Sequence, residues 1–85
     1  MSLKKYEAFV RTVELGSLTK AAQSLGSTQS RISHILNDLE EEYGFRLMHR
    51  SRGGIELTEA GQLLLPKMKA IVQKAQELSE CVSEI

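Results

Sequence analysis

Apolar residues recur along most of this chain at intervals of three and four, the period of an amphipathic helix. Leu3, Tyr6, Phe9, Val10 and Val13 form the broad apolar stripe of a first helix, with Ser2 placed to cap it and Gly16 to end it. Ser17 can cap a short second helix whose inward side is Leu18, Ala21, Ala22 and Leu25. Its adjacent alanines suit the close approach of another helix. Gly26 stops this segment and Thr28 can cap a third helix, about 28–43, in which Ile32, Leu36, Leu39 and Tyr43 recur at steps of four, three and four. At about 100° per residue they define its buried side. Ser30, His34, Asn37 and Glu41 then point away, with Gln29 and Ser33 along one flank and Arg31 along the other.

After Gly44 the period changes. "RLMHRSRGGIELT" predicts a hairpin, with a strand near 47–50, a turn at 51–54 and a strand near 55–57, the Gly-Gly pair supplying positive φ. Thr58 can cap a last helix running to the end, about 40 Å long. Pro66 lies too far inside it to be a first-turn proline and predicts a kink beginning about one turn earlier. Leu64, Met68, Ile71, Ala75, Leu78, Val82 and Ile85 alternate steps of four and three, which is a coiled-coil seam. The body expected at 1–58 is too small to cover such a helix, so self-association along 59–85 is expected, with a further domain covering the same face as the competing possibility. The predicted class is mainly α with a small β-hairpin, a winged helix-turn-helix followed by a long helix.

Composition narrows the function. Eighty-five residues, 41% of them hydrophobic and 26% charged, suit one folded domain. A chain this short buries only about 60% of its unfolded surface, so association would help it. No apolar run is long enough to span a bilayer, no signal peptide is expected, and the single Cys81 leaves a reducing cytoplasmic setting as the default. The net charge is zero, but its distribution is uneven. Lys20, Arg31 and His34 occupy an acid-free stretch between positions 15 and 37, and Arg46, His49, Arg50 and Arg52 another between 43 and 55. One surface of a neutral molecule can therefore be locally positive.

The third helix carries short polar residues where a solvated face would recruit long charged ones. Near the N-terminus of an exposed helix such residues allow the backbone to approach base edges, where glutamine both donates and accepts. Helix N-termini also favour phosphate. The acids at the other end, from Asp38 to Glu42, would then lie away from DNA.

At three places, "LKKYEAFVRTVELGSLTKAAQSL", "TQSRIS…LEEEYG" and "RLMHR…ELTEAG", the chain resembles the N-terminal DNA-binding domain of LysR-type bacterial transcriptional regulators. The resemblance covers nearly the whole chain. It implies a homodimer joined through the last helix, possible higher oligomers in a longer protein, and an inverted repeat of double-stranded DNA as partner. It also implies that Gln29, Ser30, Ser33 and His34 read bases, that Ser17, Thr19 and Thr28 face phosphates, and that Arg50 and Arg52 make the wing contacts on the minor groove or backbone. Arg31 is divided between a phosphate and an ion pair with Glu7 or Glu14. Many relatives have proline or another small residue at position 30, arginine or lysine at 34 and phenylalanine where Met48 stands. They normally continue into a large effector-binding domain, so no effector is expected to bind this chain. Two alternatives stand beside this reading. One is the winged domain of molybdate-responsive regulators; the other is a protein-interaction module that ignores DNA.

Other chemistry finds little support. Ser33 and His34 are adjacent on a helix and diverge, so they do not make a nucleophile–base pair, and no catalytic residue is expected. His34, His49 and Cys81 have no metal-site spacing, and neither metal nor cofactor is expected. Cys81 near the seam reads as a small buried apolar group rather than a redox sensor.

Overall fold

The computed structural model describes residues 2–85. Four helices and a hairpin follow one another as α1 (Leu3–Leu15), α2 (Leu18–Ser24), α3 (Gln29–Tyr43), β1 (Met48–Ser51), β2 (Gly54–Leu57) and α4 (Glu59–Glu84). The first three helices and the start of α4 surround one core of Ala8, Phe9, Val10, Ala22, Ile32, Leu36, Leu39, Leu47, Met48 and Met68. Ala21 is also fully buried, so both alanines of α2 face inward as their small size suggests.

Local chemistry accounts for most boundaries. The hydroxyl oxygens of Ser17, Thr28 and Thr58 accept from the backbone N–H of Lys20, Arg31 and Gly61, each satisfying one otherwise unpaired donor at a helix start. Ser2 occupies the corresponding position before α1, but its side chain makes no capping bond. The strands pair antiparallel with Met48 opposite Leu57 and Ser51 opposite Gly54. The turn is thus only Arg52–Gly53, shorter than expected, and only Gly54 of the glycine pair has positive φ, at 115°. α4 continues through Pro66 without interruption. The carbonyl that loses its partner there belongs to exposed Gln62, where water can serve it.

One glycine is decisive. A Cβ on Gly61 would lie 2.0 Å from the Leu47 carbonyl oxygen. Its absence lets the first turn of α4 sit directly on the wing's base. There Thr58 donates its N–H to Leu47 O (3.0 Å) and its hydroxyl to Arg46 O (2.7 Å).

The expected α4 seam divides. Met68 is only 4% exposed and belongs to the core, Leu64 is half-buried against it, and Lys69 pairs with Glu14 of α1 at 3.5 Å. Farther along, Leu78 and Val82 are 66% and 63% exposed. The molecule measures 44 × 25 × 19 Å, its length matching that of a helix projecting beyond a small body. Leu63, Ile71, Leu78 and Val82 of α4 and Ile85 just beyond it are exposed large apolar residues, and at 100° per residue they fall within roughly a 100° arc. The free stripe therefore begins at Leu63, not Leu64, because α1 covers the neighbouring side. Cys81 flanks this stripe and is exposed, contrary to its expected burial, since no part of the body reaches that far.

Candidate nucleic-acid interface

α3 is held at both ends. At its start, Thr28 caps it beside the short α2; at its end, the Tyr43 hydroxyl donates to the Tyr6 hydroxyl of α1 at 2.8 Å. Burial, then the bond with Tyr6, pushes the Tyr43 phenol up to about 12. Between these points Ile32, Leu36 and Leu39 are buried, so the opposite side of α3 is fixed facing water.

That side carries Gln29, Ser30, His34 and Asn37, all exposed, with Ser33 half-buried toward the wing. Thr19 of α2 donates to Gln29 Oε1 at 3.2 Å. His34 Nε2 lies 3.5 Å from Asp38 one turn on. A shallow hollow of about 300 Å3 joins the start of α2, the start of α3 and the wing, lined among others by Ser17, Thr19, Gln29, Arg50 and Arg52. Five residues singled out from separate parts of the sequence thus meet on one face.

Thr28 and Arg31 are elsewhere, in a larger groove of about 560 Å3 on the other flank of α3, shared with Lys4 and Glu7. The ion pair considered for Arg31 does not form among the described residues, where Glu14 is joined to Lys69. Arg46, Arg52 and Lys20 likewise form no ion pair among the described residues, so their charge is available to the solvent. Several acids are engaged away from this face, Glu42 with Lys5 at 3.2 Å and Glu14 with Lys69.

Arg50 is oriented differently from the free wing contact expected of it. Its side chain, 25% exposed, turns in toward α3, where Nη1 donates to Ser33 Oγ at 2.7 Å and Nη2 to Asn37 Oδ1 at 3.0 Å. Behind it is Glu40, which the sequence shows only as one member of the acidic run from Asp38 to Glu42. One Glu40 oxygen is 4.0 Å from Arg50 Nη2, and the other accepts from the N–H of Leu47 at 2.7 Å and of Met48 at 3.3 Å. The carboxylate therefore ties α3 to the start of β1. Its sequence signal was slight: Glu40 follows Leu36 by one turn and sits at the edge of the buried stripe.

Among the described residues no three His, Cys, Asp or Glu side chains converge as a metal site would require. No helix among them is long and apolar enough to cross a membrane.

An exposed polar helix braced by a second helix and flanked by a basic hairpin is the arrangement of a winged helix-turn-helix, and comparison with known proteins agrees. Residues 3–62 match the family described as bacterial regulatory helix-turn-helix protein, lysR family. The chain is 40% identical over 77 residues to the HTH-type transcriptional regulator TdcA of Escherichia coli, covering 91% of this chain and 24% of that protein. It is 39% identical over all 85 residues to a probable nitrogen assimilation transcriptional activator of Synechococcus elongatus, 27% of whose length it covers. The chain thus spans about a quarter of the curated relatives it matches. Among solved structures it superposes on the CbnR DNA-binding domain in complex with DNA with a TM-score of 0.85 at 30% identity, covering 99% of this chain and 97% of that one. The chain belongs to the LysR family of bacterial regulatory helix-turn-helix proteins.

Proposed function

We propose that this chain is the sequence-specific, double-stranded DNA-binding module of a cytoplasmic bacterial transcription regulator, acting as a dimer and without enzymatic activity of its own. The observation that carries this reading is the joint placement of Ser17, Thr19, Gln29 and Arg52 around one hollow beside the outward side of α3. α3 enters the major groove, and Gln29, Ser30, Ser33 and His34 meet base edges there. Ser17 and Thr19 approach the backbone on one side; Thr28 and Arg31 do so on the other. Arg52 at the wing's tip, exposed and without an ion-pair partner among the described residues, reaches the minor groove or a phosphate.

The free stripe of α4 joins two copies, so the target is an inverted repeat with half-sites about one helical turn, or a multiple, apart. Family membership and the DNA-bound state of the similar CbnR domain support the DNA reading over the molybdate-responsive and protein-binding alternatives.

Selection of bound fragments from a random duplex pool tests specificity and symmetry together. The expected outcome is a two-fold consensus. Against the selected site, Gln29→Ala weakens binding by about 1–3 kcal/mol, and against unrelated DNA by much less. An equal loss on both removes Gln29 from base reading, and a pool with no enriched sequence overturns the function.

A further inference from the structure

The Arg50 network has a chemical consequence for the reading surface. A guanidinium carries five donors and no acceptor, so whatever it bonds must present an oxygen to it. Asn37 Oδ1 therefore faces Arg50, and the Asn37 Nδ2 group, with both its hydrogens, is turned away. Ser33 Oγ accepts from the same guanidinium, which leaves its hydrogen to donate elsewhere. Side-chain amides usually permit either orientation. Here the partner permits one. The guanidinium is itself steadied by Glu40, which is fixed by the backbone N–H groups of Leu47 and Met48.

We propose that Arg50 sets the hydrogen-bonding polarity of the recognition helix, holding Ser33 and Asn37 as outward donors, so that the base pairs they meet are selected for major-groove acceptors. The favoured edges are guanine O6 and N7 and thymine O4; adenine offers its one acceptor, N7, beside an amino donor, and the cytosine amino group is disfavoured because it brings a donor to a donor. Arg50 is on this account a positioning residue that touches no base. Gln29 provides an internal contrast. Its partner is the Thr19 hydroxyl, which can donate or accept, so the polarity of Gln29 is not imposed in the same way. The inference rests on the proposal that α3 lies in the major groove.

The test compares wild type, Asn37→Asp and Arg50→Met in selections from a random duplex pool. Titrations of the selected duplexes at several salt concentrations follow, with circular dichroism to check folding. Wild type is expected to enrich guanine or thymine at a base pair facing Ser33 and Asn37. Asn37→Asp keeps an oxygen toward Arg50 and replaces the outward donors with an acceptor. It should change the preference at one base pair toward cytosine, by on the order of tenfold, whatever it does to overall affinity. Arg50→Met should broaden the preference at the Ser33 and Asn37 positions while leaving that at Gln29 intact. Uniform weakening of all sequences by Arg50→Met, with a salt slope reduced by about one and preferences unchanged, would make Arg50 a phosphate contact and overturn the inference. So would an Asn37→Asp variant with the wild-type consensus. If Arg50→Met does not fold, Asn37→Asp alone decides. A wild-type protein with no preference at any position defeats the DNA reading itself, an outcome distinct from a wild-type consensus that Asn37→Asp leaves unchanged.

Discussion

The outward side of α3 and the far half of α4 both meet water without the composition of an ordinary solvated face, and they do so in opposite ways. On α3 the exposed residues Gln29, Ser30 and Asn37 are uncharged and polar, and two of them, Gln29 and Asn37, are held from behind by a neighbouring element. Toward the end of α4 the exposed groups include the apolar Leu78 and Val82, with Ile85 just beyond the helix, and the core of the body ends at Met68. The contrast follows from the forces involved. Hydrogen bonds are directional, so a single copy can orient its polar groups before any ligand arrives. The hydrophobic effect is not directional, and an apolar stripe gains nothing until a second surface covers it. α3 is therefore ordered within one copy, whereas the apolar residues of distal α4 stay uncovered in it.

Substitutions on the two surfaces should separate accordingly. Leu78→Asp should have the largest effect, and on association alone. Burying a leucine is worth about 1.5–3 kcal/mol, and two-fold symmetry counts the loss twice, giving roughly 3–6 kcal/mol in dimer stability. Sedimentation should show monomers whose circular dichroism spectrum retains the helical body. Persistent dimers would place the interface elsewhere. Gly61→Ala should act oppositely, on the fold of one copy. The added Cβ overlaps the Leu47 carbonyl, and forcing the wing off α4 should cost about 3 kcal/mol in denaturant unfolding, against the small gain that alanine ordinarily brings to a helix.

Within the body, Glu40→Ala should cost about 2 kcal/mol. It leaves the Leu47 and Met48 N–H groups without their carboxylate and frees Arg50 from its support. Glu40→Gln, which keeps one acceptor, should lose about half as much. Thr12→Val should stabilise by about 1 kcal/mol, because the Thr12 hydroxyl is fully buried on α1 with no hydrogen-bond partner among the described residues. A melting temperature unchanged in Thr12→Val would mean that water reaches this hydroxyl.

The elements were legible in the sequence wherever one residue and its near neighbours decide the outcome. Caps at Ser17, Thr28 and Thr58 are local chemistry, and the buried side of α3 follows from spacing alone. What was not legible depends on groups distant along the chain. Arg50 reads as a free basic residue because nothing in "HRSRGG" announces that Ser33 and Asn37 lie within its reach. Glu40 is hidden in an acidic run, and its partner is a backbone segment whose position depends on the path after Gly44. The near end of the α4 seam was not legible, since Leu64 and Met68 pack on the body and periodicity shows that a helix has an apolar side and not which part of it the body covers. Gly61 did leave a clue, because a glycine within the first turn of a helix carries a propensity cost that a close approach justifies.

The smallest expected effect concerns the joint that holds the acidic end of α3, and it appears only in alkali. Tyr43 titrates at about 12 in the folded chain against an ordinary value of 10.0, chiefly because it is sequestered and next because it donates to Tyr6. Its ionisation is thus less favourable folded than unfolded. The contribution of Tyr43 to stability is fully present below pH 10 and is lost as pH rises from about 10 through about 12. Lysines titrate over the same window, so the informative quantity is the difference between wild type and Tyr43→Phe in denaturant unfolding. That difference should be flat up to pH 10 and then move against wild type. Tyr6→Phe sharpens the assignment by removing the hydrogen-bond acceptor and a neighbouring ionisable group. In that variant phenolate absorbance should show Tyr43 titrating lower than in wild type but still above 10, because burial, the larger cause, remains. A return to 10 in Tyr6→Phe would mean that the pair, and not the packing of α3 against α1, governs this end of the helix.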